Sequence, residues 1–308
     1  MMRFLSIAVL CFASTILLSS CASKEEKKHS KVIGVSLLNR GHLFYKDLEE
    51  GLIAEADKAG YELIVASADF DLGKQISQIE DFVARKVDAI VLCPVDSRGV
   101  GPGVGTAVQA NIPVFTADIA AENAPVLCHI ASDNVAGGRL AGEFLAKQLG
   151  GKGAIAIINQ PAVTSVLDRV QGFKEALANY PGITIVADVN GQGVRDRALQ
   201  AAADVLQAHQ DLKGIFGIND DSALGALDAC EQFRRSDLAI VGYDATPPAV
   251  DAIRRNSPLK ADVVQYPKKI GSATIEMIRK HFAGEKVPKI FPVEVGIVDA
   301  SSLTASTN

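Results

Sequence analysis

Three apolar, β-branched segments of this chain run straight into acidic or amide side chains. PVFTAD ends at Asp118, GIFGIND ends at Asn219 and Asp220, and AIVGYD ends at Asp244. An open parallel α/β sheet binds ligands in the crevice beyond the carboxyl ends of its strands. Carboxylates and amides gathered there exchange hydrogen bonds with hydroxyl groups and build no basic cradle for phosphate. The chemistry they suit is capture of a neutral polyol, most simply a sugar. Each Asp taken singly could instead cap the helix that follows, a role Asp fills well. Three such strand ends in one chain favour ligand contact.

The surrounding elements alternate regularly. KVIGVSLL reads as a strand, followed by a helix over 45–59 that stops at Gly60. YELIVAS, a helix over 74–85, DAIVLCP, IPVFTAD, VLCHIAS and a long helix over 134–149 continue the series. The rhythm restarts near Gly150 with GAIAIIN, a helix over 166–179, ITIVADV, a helix over 196–208, GIFGIN, a helix over 222–232 and LAIVGYD. Such alternation predicts a doubly wound parallel sheet, and the restart predicts a second sheet of the same kind. Two halves whose strand ends face one cleft make a clamshell. The tail adds a strand, ADVVQYP, a helix over 269–282 and one last extended stretch, KIFPVEVGIVD. The chain is therefore expected to return to the first domain, and several crossings imply a hinge.

The N-terminus predicts export. Residues 1–20 carry a single basic residue, Arg3, and then an apolar run too short to span a membrane, which reads as a secretory signal. Its end, Leu18-Ser19-Ser20-Cys21, is similar to the bacterial lipobox, so Cys21 is expected to carry lipid and hold the protein at a membrane face. Residues 21–30 are polar and charged, and read as a tether. Formal net charge is −5 with no dense basic stretch, which argues against a nucleic-acid partner. Of the five Cys, three lie in the expected mature domains: Cys93, Cys128 and Cys230. They have no zinc spacing and read as buried thiols, although one disulfide of unassignable pairing is open to an exported protein. No HExxH, EF-hand loop, GxSxG elbow or nucleotide-binding glycine motif occurs, so no metal, cofactor or catalytic residue is expected.

Four longer strings carry a family resemblance: HIASDNVAGGRLAG from His129, IFGINDDSALGAL from Ile215, IVGYDATP from Ile240 and VVQYPKKIG from Val263. In their order and spacing the chain resembles the ribose-binding protein family, the type I periplasmic sugar receptors of ABC transporters, over nearly all of 31–298. The resemblance implies two Rossmann-like domains, 31–132 plus 266–291 and 133–265 plus 292–308, joined by a three-strand hinge near Ser132, Gln265 and Phe291. It implies sugar contacts from Asp118, Arg169, Asn219, Asp244 and Gln265, with Phe44 and Tyr45 against the apolar face of the ring. Each also has a plainer reading: Phe44 and Tyr45 as core, Arg169 paired with Asp168 or a surface acid, Asn219 or Asp220 as helix cap, and Asp244 as cap of the helix that starts at Thr246-Pro247. Cys93 and Ile119 stand where the family places Asn and Arg, and Arg195 stands in place of an aromatic. Asn39, Arg40 and His42 compete for a polar role in the first loop. These departures point away from ribose itself. The glycine run 99–105 falls where the family begins a helix and reads as a loosened helix start.

The function expected is a non-enzymatic lipoprotein that captures a monosaccharide or polyol and hands it to an ABC permease. A sensor presenting its closed form to a chemoreceptor or sensor kinase is the alternative. Asp118 and Asp244 could form a glycosidase-like carboxylate pair, but neither stands in a sequence setting that obviously raises its pKa. The effector domain of a sugar-responsive repressor shares such a fold, but it would lack an export signal and carry a DNA-binding helix pair.

Overall fold

Alternating apolar strands and amphipathic helices build two sheets of six strands each, parallel but for one edge strand. The structure, a computed structural model, describes residues 31–305. The leader over 1–20, the lipidation site expected at Cys21 and the tether over 21–30 lie outside them. Among the described residues, no helix is long and apolar enough to cross a membrane.

The first lobe runs β1 (Val32–Leu37), α1 (Leu43–Ala59), β2 (Glu62–Ser67), α2 (Leu72–Ala84), β3 (Ala89–Leu92), α3 (Gly101–Gln109), β4 (Val114–Ala117) and β5 (Cys128–Ser132). The second runs α4 (Asn134–Gln148), β6 (Lys152–Asn159), α5 (Thr164–Leu177), β7 (Gly182–Asn190), α6 (Arg195–Ala208), β8 (Leu212–Gly217), α7 (Asp220–Gln232), β9 (Ala239–Asp244), α8 (Pro247–Arg254) and β10 (Leu259–Val264). The chain then returns through α9 (Pro267–Phe282) and β11 (Ile290–Val293), and ends in β12 (Gly296–Asp299) and α10 (Ala300–Ala305). Strand order is β11-β5-β4-β3-β1-β2 in one sheet and β12-β10-β9-β8-β6-β7 in the other. Both place a switch in winding direction beside the first strand, where open α/β sheets leave a crevice.

Two helices start earlier than their apolar periodicity suggests, because polar residues cap them. Asp71 caps α2 by accepting from Lys74 N, and Asn219 caps α7 by accepting from Ser222 N. The glycine run is not a loosened start: α3 is helical from Gly101 onward. Pro102 presets the first turn, and Gly103 lets the helix lie against Ile79. The KIFPVEVGIVD stretch is not one strand either. It divides into β11, parallel to β5, and β12, antiparallel to β10. The last passage between sheets therefore falls at Glu294 and Val295, beyond Phe291. The other two passages fall between β5 and α4 and between β10 and α9.

In each lobe one helix pair packs backbone to backbone. A Cβ at Gly138 of α4 would overlap the carbonyl of Arg169 on α5, and one at Gly172 of α5 would overlap that of Val135 on α4. Gly51 of α1 and Gly271 of α9 repeat the arrangement in the first lobe. Beneath these helices lie fully buried Ile, Val and Leu of the central strands, with Phe173 stacked on Phe216 at 4.4 Å. Cys93, Cys128 and Cys230 are free and buried.

Candidate functional site

The carboxyl ends of the strands meet across a cleft lined from both lobes. Asp118 follows β4 with φ of 66°, a left-handed backbone that no helix continues, so it caps nothing. Its Oδ2 accepts from the Tyr45 hydroxyl at 2.7 Å, whereas Oδ1 is buried without a donor. Burial raises the Asp118 carboxyl above the ordinary range, with Arg169, Tyr45 and His42 pulling the other way. Burial and the neighbouring acid hold Tyr45 protonated, so it remains a donor. Phe44 meets Tyr45 edge to face at 5.2 Å. Leu38, Phe70 and Ile119 make the rest of the first-lobe wall largely hydrocarbon.

The second lobe is more polar. Arg169 is 4% exposed, and its guanidinium is fixed on three sides. Nε donates to Asn134 Oδ1 at 2.9 Å, Nη1 donates to the Ile218 carbonyl at 2.8 Å, and the group lies 3.9 Å over the Tyr243 ring. Nη1 also stands 3.9 Å from Asp244 Oδ1, so the partner of Arg169 is a cleft acid and not Asp168. Asn219 does two things: Oδ1 caps α7 and Nδ2 donates to the Gly193 carbonyl at 3.1 Å, while its side chain still lines the cleft. Asp244 does not cap α8. Its Oδ1 accepts from Gln265 Nε2 at 2.6 Å, and Gln265 Oε1 is buried without a donor. Burial pushes the Asp244 carboxyl up to about 7; Arg169 opposes the rise, and Asp220 adds to it. Both carboxyl groups are thus raised by burial, a setting the sequence did not disclose.

Phe44, Tyr45, His42, Asp118, Ile119, Arg169, Asn219, Asp244 and Gln265 all line this cleft, Arg195 lines the recess that adjoins it past His42, Phe44, Asn219 and Asp244, and Asn39 and Cys93 line neither. Arg195 is held there in a bidentate pair with Asp228, at 2.7 and 2.8 Å. Cys93 is fully buried, with its backbone tied to Ser36 and Gln75. Asn39 folds its Oδ1 onto the amides of Gly41 and His42, which shapes the loop, and leaves its Nδ2 buried without an acceptor. Arg40, the third polar candidate of that loop, pairs with Glu49. His42 spans the lobes: Nε2 lies 2.8 Å from Asp221 Oδ2. Sequence reasoning missed Gln160 and Ser165, which also line the cleft. Gln160 follows directly on β6, so the strand-end rule that found Asp118 would have found it.

Arg169 and His42 are the basic side chains of the cleft lining, with Arg195 in the adjoining recess, and no group of His, Cys, Asp or Glu among the described residues could hold a metal ion. The arrangement is a buried ring of fixed donors and open acceptors with an aromatic face, which suits several hydroxyl groups on a small carbon frame.

Comparison with known proteins agrees with this geometry. Residues 33–286 match the periplasmic binding protein domain family. The chain is 35% identical to the ribose import binding protein of Escherichia coli, covering 92% of this chain and 96% of that one. Among solved structures, an ABC transporter solute-binding protein from Mycobacterium smegmatis with bound glycerol superposes with a TM-score of 0.85 at 34% identity, over 90% of this chain and 96% of that one. One from Agrobacterium vitis bound with α-D-tagatopyranose gives 0.85 at 28% identity, over 90% and 97%. With its two wound sheets and shared cleft, the chain belongs to the periplasmic binding protein family, as a ribose-binding-protein-like member of the type I sugar-binding proteins.

Proposed function

We propose that the protein is an exported solute-binding component of an ABC transporter, which closes on one monosaccharide or related polyol and delivers it to a permease. The observation that carries this reading is a pair of buried acceptors without donors, Asp118 Oδ1 and Gln265 Oε1, contributed to one cleft by β4's end and β10's end. A buried acceptor left without a donor costs about 1–3 kcal/mol. Hydroxyl groups of a ligand would satisfy both while Phe44 and Tyr45 cover its C–H face. The relatives named above, whose names and bound molecules are ribose, glycerol and tagatopyranose, support the same ligand class. Ile119 places hydrocarbon beside Asp118, which favours a ligand other than ribose. The apolar leader and Cys21 support export with a lipid anchor.

The deciding experiment is calorimetric titration of the protein from Lys31 onward, freed of carried-over ligand, against pentoses, hexoses, polyols and sugar acids. One saturable ligand near micromolar, about −8 kcal/mol, with no product formed, is the expected result. Failure of the entire panel to bind, or turnover of a bound glycoside, would sink the reading.

A further inference from the structure

Beside Asp244 lies a second acidic pair, of which Asp220 borders the recess adjoining the cleft and Asp262 is fully enclosed. Asp220 opens α7 and is 4% exposed, and Asp262 sits in mid-β10 with no exposure at all. Asp262 Oδ1 accepts from the Ala245 amide at 3.0 Å. Asp220 Oδ2 accepts from the Thr246 amide at 2.6 Å and from the Thr246 hydroxyl. Consecutive amides of the turn after Asp244 are thus gripped by carboxyl groups from two different elements. The turn needs such support, because Asp244 at φ 123° and Ala245 at φ 56° are both non-glycine residues in the left-handed half of backbone space. Conformations of that kind cost on the order of 1 kcal/mol or more each and persist only when the surroundings impose them.

The remaining oxygens, Asp220 Oδ1 and Asp262 Oδ2, are buried with no N–H or hydroxyl donor. Carboxyl groups that grip the adjacent residues Ala245 and Thr246 are close neighbours, and two ionised carboxylates only accept, so a proton on one is what would supply the other's open oxygen with a donor. Gly242 on β9 makes the room, since a Cβ there would overlap Asp262 Oδ2. The charged groups bearing on the pair from neighbouring elements, Asp221 on α7 and Asp244 on β9, are acids and favour retention of that proton. Arg169 on α5 acts on Asp118 and Asp244 instead, and β12 presents Val298 opposite Asp262. Asp220, at the positive end of α7, is the better seat for the negative charge.

We propose that Asp220 and Asp262 hold a single proton between them, carried by Asp262, and that this pair is the positioning device that fixes the 244–246 turn and aims Asp244 into the cleft. Only the last step rests on Asp244 being a ligand contact. The titration behaviour agrees: burial and the Asp220 charge push Asp262 well above the usual carboxylate range, and burial pushes Asp220 up to about 6.

Infrared difference spectra test the proton directly. At about pH 8.5, where Asp220 and Asp244 are ionised, one protonated carboxyl band should remain, lost in Asp262→Asn and kept in Asp244→Asn. Absence of the band, or its survival in Asp262→Asn, would overturn the proposal. Asn at 262 keeps both hydrogen bonds, whereas Leu keeps neither. Amide hydrogen exchange at Ala245 and Thr246 should stay slow in Asp262→Asn and quicken at least tenfold in Asp262→Leu; equal rates in both would remove the positioning role. Titration with D-ribose, D-tagatose, xylitol and myo-inositol adds the functional arm: for whichever binds, Asp262→Asn should stay within about twofold and Asp262→Leu should lose at least tenfold. An unchanged affinity in Asp262→Leu would make the pair merely structural. If none of the four binds and the infrared and exchange results hold, the proton pair stands and the capture reading is what fails. Should Asp262→Leu not fold, the infrared band and the Asp262→Asn affinity still decide the matter.

Discussion

Asp118 reaches the cleft because its backbone turns left-handed where β4 ends, and because the Tyr45 hydroxyl fixes one of its oxygens. The other oxygen is the one open to a ligand. Asp118→Ala should therefore leave the fold intact and weaken capture by about 3 kcal/mol, more than 100-fold, the worth of two hydrogen bonds to a charged group. Calorimetry with the ligand found in the panel checks this, and an unchanged affinity would take Asp118 out of the site. Asp244 yields a pH dependence with two opposite slopes. Its folded-state value, about 7, lies above the ordinary carboxylate range, so its protonated form favours the fold. That contribution is full below about pH 4 and is lost as pH rises through about 7. His129, held near 4 by burial, acts in the contrary sense only below its ordinary value near 6.5. Between about pH 6.5 and 8 the melting temperature of the free protein should fall. Over the same range affinity should rise, because ligand hydroxyls donate to the ionised form of Asp244. Parallel slopes would show that the ligand does not engage that carboxylate.

The helices that carry the ring of polar groups are held closer to their neighbours than side chains would allow. α5 positions Arg169, and its contact with α4 passes through Gly138 and Gly172. Gly172→Ala should separate the two helices, cost about 1–3 kcal/mol of stability by overpacking, and weaken ligand binding at least tenfold by displacing Arg169. A melting temperature and affinity equal to the parent's would show that α5 shifts without consequence. Much of this level was legible in the sequence, since strand ends at Asp118, Asn219 and Asp244 announce themselves by apolar runs that stop at a polar side chain. What was not legible depends on distance in space. Nothing near Arg195 in sequence reveals that Asp228, one helix onward, would occupy its guanidinium. Glycines 101, 103 and 105 read as weak helix formers, yet packing of α2 on α3 overrides propensity. The split of the last stretch follows from two sheets each needing an edge strand, which no local pattern encodes. Asp262 did leave a trace, a lone carboxylate inside the apolar run ADVVQ, and a buried polar residue in a strand is a signal worth following.

At the scale of the whole molecule the lobes touch at two seams. On one side Ser97 meets Ala162 and Thr164; on the other His42 meets Asp221. The second is a partly exposed pair, which such geometry makes worth about 0–1 kcal/mol. Asp221→Ala should release ligand up to about fivefold faster at low ionic strength and lose that difference near 1 M salt. Identical release rates at low salt would mean that the pair does not hold the closed form. The proposed anchor is tested at this scale as well: Cys21→Ser should free the protein from membranes, and continued lipid labelling would exclude Cys21 as the acceptor. One feature of the chain's path bears on its making. The short run 290–299 supplies the outermost strand of both sheets. Each sheet therefore stays one strand short until residues 290–299 have been synthesised, and the missing strands must find partners laid down before them, β5 far upstream and β10 beyond an intervening helix. Such long-range pairing is slow. The two sheets are thus completed together, by one short segment, and only after the other strands of both lobes have been laid down.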